Sequence, residues 1–168
     1  MTTTLVLGNP YSGRSRHAKA LLAQHDRVSY VGTGEAQDHD LPDTWSVVRS
    51  RDLTRALLAA RTAIVIDDVP EWLVGTLTEH DLWDDPETAH ARLDDYLDEL
   101  SLAVRAVPYD TVVLTTEPAW GLGKGPHQRL AEELLARVNH RLSAAADRVH
   151  AIVGGRVLDV TKGATVTE

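Results

Sequence analysis

The sequence contains no cysteine, which excludes disulfide bonds and metal sites built on thiolates. It also contains no apolar run near the ~20 residues that cross a bilayer, so we expect no membrane partner. The opening residues, Met1-Thr2-Thr3-Thr4, carry no basic region, long apolar core or cleavage site, so we expect no secretory signal. Together these absences predict a cytoplasmic protein.

Basic residues are scarce. Lysine and arginine number 17 against 25 acidic residues, which gives a formal net charge of -8. This balance argues against nucleic acid as a partner, although it leaves room for a local phosphate pocket. The chain also lacks internal repeats, low-complexity linkers and the paired-histidine spacings typical of zinc sites. At 168 residues, it fits one domain spanning 1–168 with a single core.

What the sequence does contain is an apolar run that meets a glycine-bounded turn at positions 5–15, LVLGNPYSGRS. This stretch predicts a phosphate-binding loop of the pattern G-x-x-x-x-G-K-[ST], in which backbone N–H groups converge on a phosphate at a helix N-terminus. The alternative is an ordinary strand-to-helix turn. The residues predicted to hold the phosphates are Gly8, Asn9, Pro10, Tyr11, Ser12, Gly13, Arg14 and Ser15.

The lysine of the pattern is replaced by Arg14. Arginine keeps the positive charge but exchanges a compact ammonium for a bulkier planar fork. We therefore expect nucleotide binding to survive, while alignment of a transferred phosphoryl group suffers.

The rest of the chain alternates strand-like and helix-like segments, which predicts an α/β fold with a mainly parallel sheet flanked by helices. The glycine loop then lies at the carboxyl end of the first strand, where open α/β sheets bind ligands. The fold class is therefore P-loop NTPase-like, with a C-terminal hairpin at the sheet edge. The predicted strands are 5–7, 28–34, 45–49, 62–68, 109–115, 148–153 and 157–160, and the predicted helices are 15–24, 52–61, 70–77, 88–107 and 127–146.

Several segments resemble, in the same order, the bifunctional adenosylcobinamide kinase / adenosylcobinamide-phosphate guanylyltransferase family of cobalamin biosynthesis. The C-terminal segment at 137–149 resembles the family's G-R-x-N-Q-R-L-A-x-x-A-D-x-V almost position for position. The similarity covers nearly the whole chain, and the order of the motifs is more specific than any one of them. The other matching segments are 8–18, YVGT at 30–33, P-x-x-W at 42–45, IDDVPEWL at 66–73 and GLGKGP at 121–126.

The resemblance implies two reactions at one nucleotide site. A nucleoside triphosphate, GTP or ATP, phosphorylates the aminopropanol hydroxyl of the corrinoid adenosylcobinamide, and GTP then donates GMP through a covalent guanylyl-histidine. It also implies a homotrimer, and it places Thr33, Gly34 and Glu35 against the nucleotide.

By the same resemblance, Asp67 stands where the family has an acidic residue at the end of its strand. A hydroxyl and a strand-end carboxylate can complete a Mg²⁺ shell, so Ser15 and Asp67 are the predicted metal ligands. Arg14, Ser15 and Asp67 are the predicted catalytic residues. The alternative role for Asp67 is a helix N-cap, which is the role we predict for Asp68.

The sequence departs from the family where the covalent histidine should stand. The segment between Tyr30 and Pro42 is too short to hold the family's histidine-bearing helix, and Gln37 occupies the nucleophile's place. An amide cannot replace imidazole as a nucleophile. His39 is a weak substitute candidate, with a solvated surface histidine as the alternative, and the other histidines have structural roles by default.

Two further departures fall near the expected site. Arg49 replaces a glutamate, and the family's N-E-V-G-M-G loop becomes 117–123, EPAWGLG. Three hypotheses follow. The first is a family enzyme that retains nucleotide binding and kinase activity but not guanylyl transfer through histidine. The second is a pseudoenzyme that binds a nucleotide, a corrinoid or a partner. The third is a P-loop kinase or nucleotidyltransferase that acts on another small molecule, outside cobalamin synthesis.

Overall fold

The computed structural model of the chain describes residues 1–33, 41–118 and 125–166. These residues form strands alternating with helices, as the sequence predicts. The strands are β1 (Thr3–Leu7), β2 (Val28–Gly32), β3 (Trp45–Arg49), β4 (Ala63–Asp67), β5 (Thr111–Thr115), β6 (Arg148–Val153) and β7 (Arg156–Asp159). The helices are α1 (Arg14–Leu21), α2 (Leu53–Ala59), α3 (Val69–Glu79), α4 (Pro86–Ala106) and α5 (Pro126–Ala145).

The strands form one sheet in the order β3-β2-β4-β5-β1-β6-β7. Every pairing from β3 to β6 is parallel, and only β7 runs antiparallel, in a hairpin with β6. The parallel sheet with its C-terminal edge hairpin confirms the predicted fold class. Since β1 lies inside the sheet between β5 and β6, the glycine loop that follows it has a strand end on either side along the carboxyl edge.

The two faces of the sheet are covered unequally. Helices α2 to α5 supply most of the large cluster on one face, including Trp72, Leu97 and Leu134. The other cluster is smaller, and it includes Ala18 from α1 and Leu22, the residue that follows α1. The side chain of Tyr30 belongs to this smaller cluster. The thin cover on the α1 face leaves space beside the glycine loop.

Helix boundaries follow local capping chemistry. The carboxylates of Asp52 and Asp85 accept hydrogen bonds from the N–H groups of Arg55 and Thr88, which fixes the first turns of α2 and α4. Helix α4 begins at Pro86, two residues before its predicted start, because proline suits a first helical turn. Within the described ranges, no helix combines the length and apolar character needed to cross a bilayer.

Candidate functional site

The glycine loop joins β1 to α1, and hydrogen bonds of its own backbone hold its shape. The Gly8 N–H donates to the Thr115 carbonyl at 3.0 Å, and the Ser12 N–H donates to the Asn9 carbonyl at 3.0 Å. Gly13 precedes α1 with φ of 99°, a conformation that favours glycine. The first α1 N–H with a helical acceptor is that of His17, so the preceding N–H groups of the first turn have no intrahelical partner.

The loop folds tightly on itself at Gly8. A Cβ at this position would lie 2.6 Å from the Ser12 Oγ and 3.2 Å from the Cβ atoms of Arg14 and Ile152. Within the described part of the chain, the buried Ser12 Oγ has no hydrogen-bond partner. A hydroxyl donor is therefore available inside the turn. Tyr11, by contrast, has φ of 66° and a fully exposed side chain.

Arg14 points inward, under the loop, and is only 7% exposed. Its Nη1 donates to the carbonyls of Gly8 at 3.1 Å and Thr115 at 3.3 Å. Its Nη2 donates to the Asp68 Oδ2 and lies 3.6 Å from the Asp67 Oδ1. The guanidinium thus ties together the carboxyl ends of β1, β4 and β5.

The two strand-end carboxylates have different surroundings. The Tyr30 hydroxyl donates to the Asp67 Oδ2 at 2.6 Å. Asp68 is the residue before α3, as predicted, but its side chain makes no capping hydrogen bond and instead pairs with Arg14. The sequence interpretation of Asp68 as a helix cap is therefore wrong for the side chain. The contribution of Tyr30 was also missed, and the only available signal was a hydroxyl on an otherwise buried strand.

The two predicted magnesium ligands, Ser15 and Asp67, have surroundings that differ from those of a metal site. Ser15 lies in the first turn of α1 and is exposed. Asp67 faces the guanidinium of Arg14 and the hydroxyl of Tyr30, so a metal ion at this carboxylate would compete with both. Among the residues the structure describes, no three His, Asp or Glu side chains form a metal-binding group. This donor set does not fit a divalent cation while Arg14 is in place, and the magnesium assignment stays a prediction.

A cavity of about 630 Å³ opens beside the loop, on the thinly covered face of the sheet. Its cationic lining comes from α1, where Arg16 and Lys19 add to Arg14. Tyr30 and Trp45 supply aromatic surface. The cavity therefore combines positive charge near the loop with an apolar wall farther away. The other lining residues are Pro10, Tyr11, Gly13, Ser15, Ala18, Leu41, Val65, Asp67 and Leu114.

A second cleft, of about 310 Å³, lies on the other side of Asn9 and Pro10, between α3 and α5. Its wall is mostly apolar, and its polar lining includes Glu117 and Glu132. The Thr116 hydroxyl donates to the Asn9 Oδ1 at 2.6 Å, which fixes the loop side chain at the edge of this cleft.

The structure brings most of the predicted site together. The loop residues 8–15 and Asp67 lie at one edge of the sheet. Thr33 joins them, because its hydroxyl donates to the Asp68 carbonyl at 3.0 Å. The predicted residues Gly34, Glu35, Gln37 and His39 lie outside the described residues.

Two histidines form a contact apart from the loop. The Nε2 of His17 on α1 lies 2.9 Å from the Nδ1 of His150 on β6. Burial, together with the neighbouring His150, lowers the pKa of His17 below its ordinary value of 6.5. The contact holds α1 against the sheet, which agrees with the predicted structural role of both residues.

This histidine contact predicts a loss of stability in mild acid. Because the pKa of His17 is lower in the folded chain, the unfolded chain binds more protons in mild acid. The contribution of neutral His17 to the free energy of unfolding is therefore fully present only above pH 6.5. The free energy of unfolding should therefore fall as the pH drops from about 7.5 to about 5.5, as measured by urea denaturation. The variant His17→Gln should lose less stability over this interval. An equal loss in both proteins would contradict the prediction.

Comparison with known proteins identifies the family of the chain. The model of the family described as "Cobinamide kinase / cobinamide phosphate guanyltransferase" matches residues 4–160. The chain belongs to this family. The match confirms the resemblance found in the sequence, and it runs from β1 through the C-terminal hairpin.

Two curated relatives agree with the cobinamide kinase family assignment. The chain is 32% identical over 174 residues to the "Bifunctional adenosylcobalamin biosynthesis protein CobU" of Salmonella typhimurium, covering 90% of this chain and 95% of that protein. It is 27% identical over 175 residues to the protein of the same name from Escherichia coli, with the same coverage of each chain. The similarity is thus distributed over the fold and is not confined to one motif.

Proposed function

We propose that this protein is a nucleotide-dependent transferase of cobalamin biosynthesis, which uses GTP or ATP to phosphorylate the hydroxyl of a corrinoid such as adenosylcobinamide. The observation that carries the proposal is the glycine loop. Gly13 has the left-handed backbone that the turn requires, and the first-turn N–H groups of α1 lie next to it. Membership of the cobinamide kinase family supplies the reaction class.

In this proposal, the nucleotide occupies the cavity beside α1. The triphosphate lies against the loop, where Arg16 and Lys19 add positive charge. The nucleoside extends along the face of the sheet toward Trp45, whose indole offers a stacking surface. Thr33 stands at the end of β2, next to the carboxylates below the loop.

The acceptor would enter from the other side of the loop, through the cleft between α3 and α5. This cleft adjoins Asn9 and Pro10, so a hydroxyl placed there would approach the loop opposite the nucleotide cavity. Its largely apolar wall suits the hydrocarbon part of a corrinoid. Phosphoryl transfer requires this positioning and charge stabilisation more than a protein nucleophile.

We further propose that guanylyl transfer through histidine is lost. The support comes from the sequence, because Gln37 stands where the family has its nucleophile and the histidine-bearing helix has no room. A carboxamide nitrogen has its lone pair delocalised into the carbonyl, so it cannot attack a phosphate as imidazole does. His39 remains the weak substitute candidate.

A second candidate function is nucleotide binding without turnover. It is favoured by the position of Arg14, whose guanidinium donates to two backbone carbonyls and to Asp68 under the loop. In this state, the charge is not directed toward the space where a γ-phosphate would lie. A P-loop kinase for a different small molecule remains the third hypothesis.

One experiment separates these functions. The protein is incubated with adenosylcobinamide and GTP labelled on either the α- or the γ-phosphate, followed by denaturing electrophoresis and chromatography of the corrinoid. We expect label transfer from the γ-phosphate to the corrinoid, and no label from the α-phosphate on the protein. Radioactive protein would restore a histidine nucleophile and contradict the proposed loss.

The remaining outcomes also have defined meanings. Stabilisation by GTP without transfer favours the binding protein, since a ligand selective for the native state raises its melting temperature. Transfer of the γ-phosphoryl group to another alcohol, but not to the corrinoid, favours the third hypothesis. We also propose a homotrimer in the cytoplasm, and light scattering of the purified protein tests the trimer.

A further inference from the structure

The positive charge under the glycine loop is the guanidinium of Arg14. Arg14 is buried, and its two terminal nitrogens face four acceptors, namely the Gly8 and Thr115 carbonyls and the carboxylates of Asp67 and Asp68. Carboxylates such as these are the protein groups through which hydrated Mg²⁺ is held in nucleotide sites. In this chain, the same acceptors converge on a guanidinium.

The placement of Arg14 has an electrostatic consequence. Two carboxylates beneath a phosphate-binding turn would repel a polyphosphate, and the repulsion is strong where the surroundings are poorly hydrated. Asp67 and Asp68 are both largely buried, with side chains 12% and 19% exposed. A cation beside the carboxylates lowers this repulsion, and the guanidinium of Arg14 offsets the charge of one of the two carboxylates.

We propose that Arg14 is the resident cation of this site, so that the loop binds a polyphosphate with little requirement for magnesium. The inference rests on the proposed nucleotide binding, and it assigns Arg14 the role of a positioning residue that contacts Asp67 and Asp68 and offsets part of their negative charge. Loop N–H groups, the Ser12 hydroxyl and the other α1 cations contact the phosphates from above. Arg14 is thus a neutralising group rather than a direct substitute for the usual lysine.

The experiment measures GTP and ATP binding by calorimetry, once with EDTA and once with excess MgCl₂. For the unchanged protein, we expect the two dissociation constants to differ by less than about threefold, because the guanidinium already offsets much of the repulsion from the carboxylates and occupies the place of a metal ion. For Arg14→Gln, we expect binding in EDTA to weaken by at least about tenfold, with most of the loss recovered in MgCl₂.

The matched control is Arg16→Gln. Arg16 is exposed, lies in the same helical turn and lines the same cavity. It has the same formal charge as Arg14, but its side chain is exposed, whereas that of Arg14 is buried under the loop. Its replacement should weaken binding to the same extent in EDTA and in MgCl₂. A merely structural role of Arg14 would give the same magnesium-independent pattern.

Asp68→Asn is a second variant, for which we expect the opposite change in nucleotide affinity. It tests the inference even if Arg14→Gln fails to fold. Removing this carboxylate releases the guanidinium, so binding in EDTA should tighten by about threefold or more. The inference is overturned if the unchanged protein binds at least about tenfold better with magnesium, or if Asp68→Asn does not tighten binding in EDTA. Absence of GTP and ATP binding by the unchanged protein under both conditions would overturn the proposed function itself.

Discussion

Replacing Gly13 by alanine is expected to weaken GTP binding by about five- to thirtyfold, because an L-residue at a left-handed position costs roughly 1–2 kcal/mol. Gly13 has φ of 99°, and a Cβ there would meet no atom within 4 Å among the described residues. The penalty is therefore backbone strain rather than a clash. The turn can relieve the strain by rotating, and the first-turn N–H groups then no longer converge on the phosphate. Calorimetric titration with GTP measures the loss.

Gly155→Ala is the matched control for this substitution. Gly155 has φ of 73° and lies in the turn between β6 and β7, with open space around its Cβ position. The two variants should lose comparable stability, but only Gly13→Ala should lose nucleotide affinity. If both bind GTP as the unchanged protein does, then the loop does not need its observed backbone to hold an anion, and the proposed site fails.

The largest expected loss of stability comes from Trp72→Ala, at about 3–5 kcal/mol. Trp72 is 1% exposed within the core between α3, α4 and the sheet. Its ring centroid lies 5.0 Å from that of Tyr96, and its Nε1 donates to the Arg51 carbonyl at 2.9 Å. Alanine would leave a large cavity and an unpaired carbonyl. Urea denaturation followed by circular dichroism measures the free energy of unfolding.

Trp83→Ala is the control for the loss of an indole. Trp83 is partly exposed, and its Nε1 donates to the Thr78 hydroxyl at 3.0 Å at the surface. Its removal should cost less than half as much as that of Trp72, because water can fill the space and satisfy the hydroxyl. Equal losses for both tryptophans would show that burial does not determine the cost.

Strands and helices were predictable because their signals are local. The buried runs 62–68 and 109–115 contain the observed β4 and β5, and the spacing of leucines in 127–146 marks α5. Helix starts were less accurate, since Pro86 and Pro126 each begin a helix one or two residues before the predicted start. The family could also be identified from ordered motifs, and the family match confirms it.

The contacts inside the candidate site were less predictable. The sequence indicates that Arg14 follows a glycine turn, but it does not indicate whether the side chain points toward a phosphate or under the loop. That choice depends on acceptors at Thr115 and Asp68, which are 101 and 54 residues away along the chain. The hydrogen bond from Tyr30 to Asp67 depends in the same way on the pairing of β2 with β4.

The sequence by itself determined the family, the α/β class and the loop at the end of the first strand. Each of these depends on residues that are neighbours in the chain, or on motifs whose order the chain preserves. Only the tertiary structure decided that Arg14 is buried against Asp68, and that a cavity lies beside α1. Side-chain direction is set by partners that the parallel sheet brings together, and the strand order β4-β5-β1 places those partners under the loop.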